Sequence, residues 1–393
     1  MTPAKTSVKP KRKLSWSDPF VRGLIYQVVV VGLIGVAVWY LVSNTLHNLS
    51  VRNISTGFDF LGREAGFAIG ESVIAYQPTD SYGRAVLVGI MNTLKVSLIG
   101  AVFATLLGTV LGVARLSSNW LVSKVSAAYI EVMRNVPLLL QLFFWYALIT
   151  ETMPGPRNAH ELLPGVFLSN RGLKMPSLEA ATVLWMVAGI ALALVLITLL
   201  GVAVKRHQER TGKRLALGRM ALGIVFVVPA VVVWLSGASL QPEVPVLRGF
   251  NFVGGMSLSP EFFALLVGLI IYTSAFVAEV VRSGIQAVSA GQWEAAAAIG
   301  LPRSHTLALV ILPQALRVII PPMTSQYLNL TKNSSLAVAI GYPDIVSVVN
   351  TTLNQTGQAI EGVLIIMAAY LTVSLSISVF MNWYNKRMAL VER

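Results

Sequence analysis

Two lysines lie in strongly apolar sequence, and their neighbours indicate what each could hold. Lys332 belongs to Asn329-Leu330-Thr331-Lys332-Asn333-Ser334-Ser335, a few residues after Pro321-Pro322 and Gln326. A helix disturbed by paired prolines can unwind and expose main-chain donors and carbonyls to a water-filled path. Beside an ammonium and several hydroxyls, such a segment suits a small ligand carrying both charges. The competing reading is that these polar groups bridge helices and that Lys332 pairs with a neighbour. Lys95 has the same two readings: attraction of a ligand carboxylate, or pairing and snorkelling within a bundle.

Glu279 and Arg282 are three residues apart and share a helix face, which suits either an intrahelical ion pair or a gate and acceptor for a ligand ammonium. Glu131, Arg134 and Asn92 are further candidates, with Arg134 and Pro137 marking a helix entry. The segment from Gly291 to Pro313, GQWEAAAAIGLPRSHTLALVILP, has another character. Glu294, Ala295 and Ala296 open an alanine-rich helix, with Glu294 favouring its N-terminus. Gly300 suits a left-handed stop and Pro302 the first turn of a second short helix, while Leu312 and Pro313 close the unit. Such a loop suits docking against a partner; alternatively it only joins two spans. His47, His160, His207 and His305 are scattered without metal-ligand spacing, there is no cysteine, and no G-x-x-x-x-G-K-[ST] phosphate loop occurs.

The elements that must position these residues are membrane helices. The 393 residues are 55% hydrophobic and only 12% charged, against roughly 25% charged in soluble domains. Eight segments are long and apolar enough to span a bilayer: about 24–46, 86–113, 125–149, 179–204, 219–236, 261–281, 316–340 and 360–384. An ionised group at mid-bilayer costs about 2.5–3.5 kcal/mol, so Lys95 and Lys332 require a reason to be there. The net charge of +13 is distributed unevenly: 21 of the 30 Lys and Arg fall on the side of the N-terminal run Lys9–Lys13. That is a positive-inside pattern rather than a nucleic-acid footprint, and it places both termini and the loop 282–315 in the cytosol. The apolar segment after the basic run is too long for a cleaved signal and reads as a retained first span. The connections 47–85, 150–178 and 237–260 fall outside and read as ordered loops or short interfacial helices. The expected organisation is a cytosolic tail 1–23, a first span and outer loop 24–85, and a transmembrane domain 86–393.

The spacing of Glu294-Ala295-Ala296, Gly300, Val310 and Leu312-Pro313 resembles the EAA loop of ABC-importer permeases, with Val310 where many members carry Ile. Gly89-Ile90-Met91-Asn92-Thr93-Leu94, the run Tyr129 to Gln141, Glu279 to Ile285 and Thr331 to Leu336 extend the resemblance to the polar amino-acid permeases. Asn333 stands where many of them carry Asp. The long chain and large outer loops resemble the first permease subunit of general L-amino-acid transporters. The resemblance implies an all-α polytopic bundle of the type I importer fold in a bacterial inner membrane. It implies a second permease subunit, two cytosolic ATPases that bind ATP and Mg, a periplasmic binding protein, and an L-amino acid as cargo. The chain itself would hold no cofactor and no ATPase site, and Gly291, Glu294, Ala295, Ala296, Gly300, Leu312 and Pro313 would couple to the ATPases. An ion-gradient-driven secondary transporter using Lys95, Glu279 and Lys332 is the alternative; inverted repeats would favour it, and none is evident. A serine–lysine intramembrane enzyme has no compelling spacing.

Overall fold

In the computed structural model, residues 19–51, 56–212 and 217–388 are described; Lys9–Lys13, Lys213, Arg214 and Arg393 lie outside them. Twelve helices follow in order: α1 Pro19–Val51, α2 Tyr82–Arg115, α3 Trp120–Asn135, α4 Leu138–Ala147, α5 Ala180–Thr211, α6 Leu217–Ser236, α7 Pro260–Gln286, α8 Ala290–Ala298, the short turn α9 Arg303–His305, α10 Leu312–Asn333, α11 Ile345–Thr356 and α12 Ala359–Met388. The eight apolar segments fall on these helices, except that 125–149 ends in a π-helical stretch and 316–340 ends in a 3-10 stretch. Among the described residues, six helical stretches are individually long and apolar enough to cross a membrane. The segment 219–236 falls on a shorter apolar helix.

The segment 125–149 is not one straight span. α3 and α4 meet at 102°. Pro137 has no N–H to continue the helix and holds Val136 extended, at φ −89° and ψ 126°. Gln141 restores the lost bonds: its Nε2 donates to the carbonyls of Met133 and Val136, each at 3.1 Å. One buried amide thereby makes the break tolerable in an apolar setting.

α2 and α7 form the central pair. Gly100, Ala104, Gly108 and Gly112 recur every fourth residue on the buried face of α2. A Cβ at Gly108 would lie 2.6 Å from Val277 Cβ, and one at Gly112 2.6 Å from the Ala278 carbonyl oxygen. Only glycine permits this approach, the small-xxx-small solution to packing where no hydrophobic force separates helix from lipid. α3, α4, α10, α11 and α12 pack around the pair, and α5 and α6 pack on each other. The outer faces of α1 and α12 are apolar and exposed, as with Leu364, Met367, Leu371 and Leu375.

The connections 150–178 and 237–260 contain strands that their loop-like composition did not suggest. β1 His160–Leu163, β2 Val166–Ser169, β3 Gly172–Met175, β4 Val246–Arg248, β5 Asn251–Val253 and β6 Met256–Leu258 make an antiparallel sheet in the order β1-β2-β3-β6 and a β4-β5 pair. The β3–β6 pairing joins the two connections, and Phe167 stacks on Phe252 at 4.7 Å. This sheet lies at the α7 N-terminus. The opposite end, carrying α8 and α9, is called the loop end below.

Candidate functional site

The loop begins earlier than its acidic residue suggested. Ser289, not Glu294, caps α8: its Oγ accepts from Gly291 N at 3.3 Å. Glu294 is therefore a mid-helix residue, exposed together with Gly291 and Ala295. Ala296 is buried, and Trp293 packs beside Val281, Ile311, Ala315 and Ile319, so α8 is seated on α7 and α10. Gln314 Nε2 adds a bond to Gln292 Oε1 at 3.2 Å. The helix ends as its glycine predicted. Gly300 has φ +73°, Gly300 N donates to Ala297 O at 2.9 Å, and Leu301 N donates to Ala296 O at 3.0 Å. This pair of bonds is the Schellman arrangement that satisfies the last carbonyls of a helix. The outward surface is small side chains framed by Glu294 and Ile299.

Beyond Pro302 there is no separate second helix. α9, a π-helical stretch Thr306–Ile311, α10 and a 3-10 stretch Ser334–Ile340 run as one 38-residue span, Arg303–Ile340. Leu312 and Pro313 lie inside it rather than closing a unit. The wider π turn just before Pro313 suits a residue that cannot donate to the preceding turn.

This helix carries the polar candidates. The exposed positions Val318, Pro322, Ser325, Asn329 and Lys332 follow at helical spacing and form one stripe. Gln326, Asn333 and Ser335 flank it half-buried, while Ser334 is buried. The expected unwinding does not occur. The segment tightens from α to 3-10, with Ser334 Oγ donating to Thr331 O and Ser335 Oγ to Lys332 O, both at 2.7 Å. Lys332 takes part in none of the ion pairs among the described residues. An exposed lysine and asparagine on a spanning helix are expensive against lipid, whereas the leucine-rich face of α12 is not.

Lys95 is paired. Its Nζ lies 2.6 Å from Glu71 Oε1 and 4.1 Å from the Phe262 ring centroid. Glu71 Oε2 accepts from Ser259 Oγ at 2.6 Å, and Asn92 Nδ2 donates to the carbonyls of Glu71 and Pro343, each at 2.8 Å. The connection 57–81 is thus pinned onto α2 and α7, which answers for both Lys95 and Asn92. Glu71 was missed because its partner is 24 residues away, beyond any helical spacing.

Of the two readings of Glu279, the structure forms the intrahelical pair with Arg282, and adds one with Arg115, whose Nη1 is 2.6 Å from Glu279 Oε2. Arg134 lies against Phe276, its Cζ 5.2 Å from the ring centroid. Glu131 is exposed on α3. The sequence candidates therefore divide into three places: the α8 loop with Leu312 and Pro313 on the helix that follows it, the α10 stripe, and the Glu279 cluster, with Lys95 apart at the sheet end.

The described residues thus form a bundle of membrane spans in which the short capped helix α8 leads into a polar-striped span. Residues 104–390 match the family described as binding-protein-dependent transport system inner membrane component, and the chain belongs to that family. It is 51% identical to the ABC transporter permease protein YhdX of Escherichia coli strain K12, over 98% of each chain. It is 44% identical to the general L-amino acid transport system permease protein AapQ of Rhizobium johnstonii, over all of both chains. With the glutamate/glutamine/aspartate/asparagine transport system permease protein BztB of Rhodobacter capsulatus it shares 39% identity over 96% of each.

Proposed function

We propose that this chain is the transmembrane permease subunit of an ATP-driven importer of L-amino acids, working with a second permease, two ABC ATPase subunits and a periplasmic binding protein. The ATP and Mg belong to the ATPases. α8 is the docking element and faces the cytosol with both termini. The α10 stripe lines the path, together with the half-buried Gln326 and Asn333. The observation that carries this reading is the single helix Arg303–Ile340, which begins at the docking loop and ends in the polar segment, so that a movement at the loop acts on a helix continuous with that segment. Amino-acid cargo is supported by the names of the full-length relatives.

The test is uptake of labelled amino acids into vesicles holding the assembled complex. Uptake should require ATP and loaded binding protein and persist when a protonophore collapses the ion gradients. Transport that stops with the protonophore at constant ATP would replace this reading with gradient-driven exchange.

A further inference from the structure

Glu279 is surrounded by more positive charge than it can balance. Arg115, the last residue of α2, places Nη1 2.6 Å from Oε2. Arg282 donates to Oε2 through Nε at 3.1 Å and to Oε1 through Nη2. Arg134, from α3, lies over the ring of Phe276, one helical turn before Glu279 on α7, with its Cζ 5.2 Å from the ring centroid. Three guanidinium groups and one carboxylate from three helices leave a surplus of two positive charges. The C-terminal dipoles of α2 and α3, whose last turns carry Arg115 and Arg134, offset only part of it. Glu131 precedes Arg134 by three residues but forms no ion pair among the described residues, and neither does Arg134. The side chains of Arg115, Glu279 and Arg282 are 23%, 27% and 24% exposed, so the cluster is not sealed in the core.

This arrangement reverses the sign of the ligand that Glu279 suggested. Both of its oxygens are engaged by arginines, and an incoming ammonium would add a fourth cation. We propose that Arg115, Arg134 and Arg282 form an anion-attracting site at the loop end of the path, which favours amino acids with a side-chain carboxylate and disfavours those with a cationic side chain. The proposal rests on the amino-acid permease reading above. Arg115 and Arg282 hold Glu279, and Arg134 is the arm left to meet a passing carboxylate.

The complete transporter in vesicles, at saturating loaded binding protein, gives the uptake rates of glutamate, glutamine and lysine. Arg134→Gln should lower the glutamate-to-glutamine ratio by roughly tenfold, a change of about 1.4 kcal/mol, and raise the lysine-to-glutamine ratio. Arg134→Lys should restore both ratios. Glu131→Gln, which removes a negative charge without breaking an ion pair, should shift them in the opposite direction from Arg134→Gln. Ratios that stay within about twofold in Arg134→Gln and Glu131→Gln overturn the proposal. The comparison is repeated in phosphatidylcholine vesicles with and without phosphatidylglycerol. A glutamate preference that follows the lipid assigns the cluster to a headgroup phosphate and overturns it too. A wild-type complex that carries none of the common L-amino acids refutes the permease reading itself, and one that carries others but none of these three overturns the anion-site proposal alone; both failures are visible before any variant is compared.

Discussion

Replacement of Gly300 tests whether the end of α8 is set by backbone conformation or by space. A Cβ at this position would meet nothing within 4 Å, so bulk alone costs nothing in this chain. The cost comes from φ +73°: an L side chain in the left-handed region is strained by about 1–2 kcal/mol. The chain escapes that strain only by giving up the Gly300–Ala297 and Leu301–Ala296 bonds, at about 0.5–1.5 kcal/mol each. The two costs are similar, so Gly300→Ala should partition the loop between a strained end and a frayed one. A loss of 1–2 kcal/mol changes a population ratio by roughly 5–30-fold, and the apparent affinity of a docked partner falls with the competent fraction.

Asn tolerates the left-handed conformation and β-branched Val does not. The expected order of damage is therefore Asn, then Ala, then Val, although Ala is the smallest of the three. The assay is co-elution of the ATPase subunits with the permease pair, together with amino acid imported per ATP hydrolysed. Damage that rises with side-chain size, leaving Ala the mildest, would refute the backbone argument and place a partner surface against Gly300. Unimpaired coupling in Gly300→Val would refute the docking role of α8.

Two further outcomes follow from groups at the sheet end. Lys95→Met and Glu71→Gln should each lower the melting temperature of the purified protein, and the double variant should lose less than the sum, with a coupling of about 1 kcal/mol for this part-exposed pair; strict additivity would show that the pair does not hold the 57–81 connection. Asp344, which caps α11 by accepting from Ser347 N at 2.8 Å, lies outside the spans and is pushed up to about 7 by burial from an ordinary 3.8. The folded state thus holds this proton more tightly than the unfolded chain. Its contribution is fully present below pH 3.8 and is lost as the pH rises through about 7. Melting temperatures followed from pH 5 to 8.5 should therefore decline more steeply in the wild type than in Asp344→Asn, and parallel curves would refute the assignment.

The spans were legible because lipid imposes one rule on about 20 residues at a time, and a composition rule survives without knowledge of neighbours. Gly300 was legible for a similar reason, since a helix stop is local chemistry. What escaped the sequence depended on distant partners. The strands of 160–175 and 246–258 are three or four residues each and acquire their fold by pairing β3 with β6 across about 80 residues. Glu71 acquires meaning only beside Lys95 and Ser259. The bend at Pro137 carried a signal, the proline, but its tolerance depends on Gln141 folding back onto Met133 and Val136. The small residues Gly100, Ala104, Gly108 and Gly112 of α2 recur every fourth position, but only the α7 residues lying against them distinguish an interface from an accident.

On the proposed function, the geometry of α10 constrains how coupling can work. From Leu312 to Lys332 the helix advances about 30 Å at 1.5 Å per residue, so a tilt of about 10° at the loop would displace a rigid polar end by roughly 5 Å. The helix has a weak point along this lever. Pro321 and Pro322 cannot donate to the carbonyls of Arg317 and Val318, so the two halves are joined by fewer hydrogen bonds than elsewhere. The loop-end half is held to α7 and α8 by Ile311, Ala315 and Ile319. The far half is held to α2 by the Thr105–Tyr327 hydroxyl contact at 3.0 Å and by Leu330 against Gly100. A docking movement at α8 would therefore bend α10 at the prolines before it slid the polar stripe past α2. Access to Asn329 and Lys332 would then change through a hinge inside one helix, without breaking that helix away from the loop that drives it.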